Sequence, residues 1–114
     1  MEVINIKGTD DTPNVILDKA SGHFEISGRS LPEDVNQFYE QILDWIDEYA
    51  KDPLDRTEFN FKLEYFNTAS SKVILDILLK FEEIVEKGKE VVIKWHYHED
   101  EEDMLEAGEE YSDI

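Results

Sequence analysis

Residues 59–85 change periodicity abruptly, and that change constrains the fold more than any other feature. Phe59, Phe61, Leu63 and Tyr65 alternate with Asn60, Lys62 and Glu64. A period of two marks a strand with one wet face. A few residues on, Val73, Ile74, Ile77, Leu78, Phe81, Ile84 and Val85 recur at helical spacing and draw a wide apolar face. This helix starts within Asn67-Thr68-Ala69-Ser70-Ser71, and Gly88 supplies the position just past its end, after Lys87. Glu90 to Tyr97 then reads as a further strand with Val91, Ile93, Trp95 and Tyr97 on one face. Strands and helices in alternation favour parallel crossovers on one sheet.

The chain before this unit supplies more strands and another helix. Val3 to Ile6 is a short strand. Asn14–Asp18 and Gly22–Gly28 form a hairpin around the turn residues Lys19-Ala20-Ser21-Gly22. Ser30-Leu31-Pro32-Glu33 has the form of a capping box, with Pro32 tolerated in a first helical turn. The predicted helix runs to about Lys51 on a stripe of Val35, Phe38, Tyr39, Ile42, Ile46, Tyr49 and Ala50, and Asp52-Pro53 ends it. Trp45 falls at the flank of that stripe and is expected to be partly exposed. Met104, Leu105, Gly108 and Tyr111 mark a short third helix. The predicted order is β-β-β-α-β-α-β-α. The expected fold is an α/β sandwich: a mixed β-sheet with helices packed on one face, in a single domain over residues 1–114. Its end, about 99–114, is an acidic helix.

Charge narrows the function. The 114 residues include 29 acids against 11 bases, a formal net charge of −18. Nine of the acids lie between Glu99 and Ile114, where there is no base. A field of that sign repels phosphate backbones and anionic lipid, so nucleic acid is not an expected partner and a protein is. With no cysteine, thiol catalysis, disulfides and cysteine-held metals are excluded. The most apolar segment, Val73 to Leu79, is interrupted by Asp76 and far too short to span a bilayer, so no membrane insertion is expected. Met1 to Gly8 has no basic stretch followed by a long apolar one, so a secretory signal is not expected. The expected location is the cytoplasm.

No catalytic signature stands out. The five glycines are scattered and form no phosphate loop. His96 and His98, two apart on a strand, share a face near Glu99, Asp100 and Asp103. This is a weak pattern for a divalent cation, and a strand end emerging into solvent explains it better. Phe38, Trp45, Tyr49, Phe59, Phe61 and Trp95 have the spacing of core residues. The junction Tyr65-Phe66-Asn67-Thr68-Ala69-Ser70-Ser71-Lys72 is the informative segment. Asn, Thr and Ser satisfy free amides at a helix start, but four candidates crowd a position that needs one. Such a start also suits a phosphate, so a Thr or Ser here is a candidate for phosphorylation.

The same junction resembles the motif of the SiaC-type regulatory phosphoproteins, small bacterial proteins formerly grouped as a domain of unknown function. Three further blocks agree: Phe24-Glu25-Ile26-Ser27-Gly28-Arg29-Ser30-Leu31-Pro32-Glu33, then Phe38-Tyr39 with Trp45 and Tyr49, then Trp95-His96-Tyr97 with the acidic run from Glu101 to Glu110. The resemblance implies a fold like the STAS domain of anti-sigma-factor antagonists, no catalytic activity and no cofactor or metal. It also implies a switch. A partner kinase phosphorylates the Thr of the Asn-Thr motif, which is Thr68 here, and a PP2C-type phosphatase reverses it. The unmodified form binds and activates a diguanylate cyclase, raising cyclic di-GMP and promoting biofilm. The partner surface would then include Tyr65, Asn67, Ser70, Ser71 and Lys72. Two other readings belong to different classes. One is an acidic decoy that mimics nucleic acid; the other is a small metal-dependent enzyme using His96, His98 and the acidic tail.

Overall fold

A computed structural model of the chain describes residues 2–97 and 101–112. The strands are β1 (Ile4–Ile6), β2 (Asn14–Asp18), β3 (His23–Ser30), β4 (Arg56–Phe66) and β5 (Glu90–Trp95), and the helices α1 (Val35–Tyr49), α2 (Thr68–Glu86) and α3 (Glu102–Ser112). They form one five-stranded sheet in the order β1-β2-β3-β4-β5. The first three strands are antiparallel neighbours, and β3-β4 and β4-β5 are parallel. The mixed sheet follows from the connections. Hairpins join the early strands, while α1 and α2 each carry the chain back for a parallel pairing.

The helices share one face of the sheet. Phe24, Phe59 and Ile93 lie side by side in register, as do Phe61 and Trp95. Phe24 meets Tyr49 of α1 at 5.2 Å between ring centroids, and Phe59 meets Phe81 of α2 at 5.1 Å. Trp95 meets Tyr111 of α3 at 5.5 Å. The other face carries Glu25, Glu58, Lys62 and Lys94, which pair across strands as Lys62–Glu25 and Lys94–Glu58. Removing the apolar face of each strand and helix from water is the main stabilising term.

Three expectations need correction. Ser30 does not begin a helix: it ends β3, and Asp34 caps α1, its carboxylate accepting from the Gln37 amide at 3.0 Å. The strand hydrogen bonds of β3 outcompete the capping box. Trp45 is buried at 7% exposure, because its indole N–H reaches the Glu2 carbonyl at 2.7 Å and its ring stacks on Tyr49. Tyr65 leaves the apolar face. The β3-β4 register shifts between Gly28 and Arg29, so Leu63 pairs with Gly28 but Tyr65 with Arg29, and Glu64 is the extra residue of a bulge. Phe66 takes the inward position and meets Trp95 edge-on at 6.1 Å. Gly28 has φ +93° at the shift, a conformation that costs glycine nothing.

Candidate functional site

The bulge in β4 places the strand end, the start of α2 and part of α3 on one surface. Asn67 is the cap of α2: its Oδ1 accepts the Ser70 amide at 2.8 Å, and its carbonyl accepts the Ser71 amide at 3.0 Å. Thr68 is therefore the first helical residue. It is exposed, and its hydroxyl has no hydrogen-bond partner among the described residues. Nothing in the fold requires the Thr68 hydroxyl, and the free amides of the helix start lie around it.

The neighbouring side chains divide into surface and support. Tyr65 is 47% exposed, with the Arg29 guanidinium 5.6 Å above its ring. Arg29 is anchored in turn by its Nε–H donating to the Asp10 carbonyl at 3.1 Å. Lys72 is exposed. Ser71 is half-buried, and its hydroxyl donates to the Thr68 carbonyl at 2.6 Å. Ser70 is no part of the surface: it is 0% exposed, and its hydroxyl donates inward to the Ser30 carbonyl at 2.9 Å. The expectation that it forms partner surface is corrected to a role beneath it.

The third helix extends the surface. The Tyr111 hydroxyl donates to the Ser71 carbonyl at 2.9 Å, tying α3 to the first turn of α2. Trp95 donates to the Met104 carbonyl at 2.8 Å, and its ring lies where a Cβ on Gly108 would stand. A cleft of about 230 Å³ between the helices is lined by Phe66, Ser71, Lys72, Leu75, Ala107, Glu110 and Tyr111. Burial pushes the Tyr111 hydroxyl up to about 12, with Glu110 adding to the effect. A wider cleft of about 550 Å³ lies against Tyr65 and carries Glu64, Glu101, Glu102 and Asp103. The end of β4, the first turn of α2 and α3 thus present exposed aromatic area, two cations and many carboxylates.

The sequence missed Arg29, Tyr111 and the role of Ser30 at this surface. Arg29 could have been found only through the bulge, which no local periodicity encodes. His96 is exposed and its Nε2 lies 3.0 Å from Asn60 Oδ1. His98, Glu99 and Asp100 lie outside the described residues. Among the described residues no group of three or more His, Asp or Glu side chains is placed to hold a metal ion.

A family model for the SiaC family regulatory phosphoproteins matches residues 6–114. The chain belongs to that family. It is a regulatory protein, not an enzyme. It is similar, at 33% identity over 111 residues, to an uncharacterised protein of Pseudomonas aeruginosa strain UCBPP-PA14; the match covers 97% of this chain and 88% of the relative. The crystal structure of apo-SiaC from Pseudomonas aeruginosa superposes with a TM-score of 0.90 at 33% identity, over 99% of this chain and 92% of that one. SiaC bound to the diguanylate cyclase SiaD, as its activator, also from Pseudomonas aeruginosa, matches with a TM-score of 0.90 at 33% identity, over 96% and 90% of the two chains. The mixed sheet and three helices are thus the architecture of this family.

Proposed function

We propose that this chain is a phosphorylation-switched activator of a diguanylate cyclase, with Thr68 as the phosphoacceptor. The observation that carries the reading is the free, exposed Thr68 hydroxyl at the first position of α2, beside a cap that Asn67 already supplies. Family membership and the SiaC–SiaD complex supply the class of partner. A kinase adds the phosphate, a PP2C-type phosphatase removes it, and the system works in the cytoplasm, controlling cyclic di-GMP and biofilm. No helix among the described residues is long and apolar enough to cross a membrane.

The physics of the switch is local. The unmodified surface offers Tyr65, Asn67, Ser71 and Lys72 around Thr68. A phosphate adds about −1.5 to −2 charges and three acceptor oxygens there. A partner packed against the bare turn meets a bulky anion and an unfavourable desolvation, so it leaves. The test is intact-mass and peptide mass spectrometry of the protein from its own cells, followed by capture of the cyclase with Thr68→Ala. A single phosphate on Thr68, with the cyclase held by Thr68→Ala and released by the phosphoprotein, is expected. Phosphate at another residue only, or equal capture by both forms, overturns the reading.

A further inference from the structure

Beneath the exposed turn lies a chain of buried hydroxyls that helix formation does not require. Tyr39 on α1, Ser30 at the end of β3 and Ser70 on α2 are each 0% exposed. The Ser30 hydroxyl donates to Ser70 Oγ at 2.9 Å, and the Ser70 hydroxyl donates to the Ser30 carbonyl at 2.9 Å. Ser30 has one hydroxyl proton and has given it, so Tyr39 donates to Ser30 Oγ, at 2.5 Å. The Ser30 carbonyl also accepts the Asn67 amide at 3.1 Å. Residues 67 and 70, on either side of Thr68, are therefore both fastened to Ser30. Asn67 already satisfies the Ser70 amide, so the helix start needs no serine hydroxyl at 70. Buried hydroxyls are stabilising only when every partner is in place, and an alanine at 70 would suit a helix better. Here every partner is in place.

We propose that Tyr39, Ser30 and Ser70 are positioning residues for modification of Thr68: their hydroxyl chain locks the first turn of α2 so that the Thr68 hydroxyl is presented in one orientation. The inference rests on the reading of Thr68 as phosphoacceptor. An acceptor at the first position of a formed helix is taken from the folded surface, not from a loose peptide. In-line phosphoryl transfer needs the attacking oxygen held closely, and a displacement near 1 Å is severe. The Asn67 cap and the Tyr111 bond to the Ser71 carbonyl hold the turn from the surface; the hydroxyl chain through Ser30 adds a hold from beneath.

The protein contains its own control. Tyr49, also on α1 and 0% exposed, bonds Thr57 Oγ1 at 2.7 Å and accepts the Leu54 amide at 3.1 Å, near the opposite end of the helix. Tyr39→Phe and Tyr49→Phe remove the same atom from similar buried networks, but only Tyr39 is joined, through Ser30, to the turn of Thr68. The experiment measures initial rates of Thr68 phosphorylation at varied protein concentration, with Mg·ATP and an extract of the cells that make the protein. Wild type, Tyr39→Phe, Ser70→Ala and Tyr49→Phe are compared below the lowest of their melting temperatures. Tyr39→Phe and Ser70→Ala are expected to lose about tenfold in kcat with KM held, while Tyr49→Phe matches wild type. Equal rates for Tyr39→Phe and Tyr49→Phe, or a change confined to KM, overturn the proposal alone. A wild type that takes no phosphate on Thr68 overturns the underlying reading and this inference with it.

Discussion

Asn67 Oδ1 accepts the Ser70 amide at 2.8 Å, and that bond assigns capping of α2 to Asn67 rather than to Thr68. The two adjacent residues differ sharply in consequence. Asn67→Ala removes a satisfied cap and is expected to cost about 1 kcal/mol. Thr68→Ala removes a hydroxyl that bonds nothing and is expected to change stability by less than about 0.5 kcal/mol. Urea denaturation of the two variants checks the order; a larger loss for Thr68→Ala would reverse the assignment.

Gly108 is held open by a tryptophan. A Cβ at that position would stand 2.6 Å from Trp95 Cδ1 and 3.0 Å from two more ring atoms. The ring has little room to give, since its Nε1 is bonded to the Met104 carbonyl and its faces meet Phe61, Phe66 and Tyr111. Alanine improves helix propensity by about 1 kcal/mol, but overpacking against a fixed ring costs about 1–3 kcal/mol. Gly108→Ala is therefore expected to loosen α3 from the sheet. Tryptophan emission should shift to longer wavelength, and the amides of residues 102–112 should exchange faster.

Two tyrosines make the fold sensitive to alkali. Burial pushes the Tyr39 hydroxyl from its ordinary 10.0 up to about 12, and Tyr111 reaches about 12 as well. Between pH 10 and 12 the unfolded chain has lost these protons while the folded one keeps them. The unfolded state binds fewer protons there, so stability falls as pH rises through that window. Tyr39 should contribute about 2–3 kcal/mol of that loss. Denaturation midpoints measured from pH 9 to 12 are expected to fall less steeply for Tyr39→Phe than for wild type.

Tyr65 stands out of the fold on its strand, 47% exposed under Arg29. Exposed tyrosines with a cation above them are inexpensive to the monomer and strong anchors at interfaces. Tyr65→Ala is expected to leave the melting temperature nearly unchanged and to weaken cyclase binding at least tenfold, on the order of 1.4 kcal/mol. Calorimetric titration of the cyclase with both forms checks the pair of outcomes.

How far the sequence could be read depended on whether local rules acted alone. Phe59, Phe61 and Leu63 obey the period of two and are legible, as are the Gly88 terminator of α2 and its apolar face except Val85, which is 48% exposed. Tyr65 was misplaced because the bulge at Glu64 arises from pairing with β3, thirty-odd residues earlier. Ser30 was misplaced because Ser-x-x-Glu is a local signal, while the strand bonds and the Tyr39 and Ser70 hydroxyls that claim it are distant in sequence. Trp45 was misplaced for the same reason, since its indole partner is Glu2. The candidate site was visible as a segment, but its division into an exposed Thr68 and a buried Ser70 needed the third dimension.

Phosphorylation of Thr68 is expected to leave the fold intact while removing the partner. A phosphate at the first position of α2 lies over free amides and the positive end of the helix dipole, an interaction worth about 0.3–1 kcal/mol to the folded state. Glu64 and the acids of α3 oppose it, but they are exposed and screened by salt. Attraction within the first turn should offset that repulsion. The melting temperature of the phosphoprotein should therefore lie within a few degrees of the unmodified form at about 0.15 M salt, and far-ultraviolet circular dichroism should not change. Cyclase binding should nevertheless be lost. A phosphoprotein that melts far earlier, or loses helix signal, would mean that the switch works by melting α2, not by blocking a rigid surface.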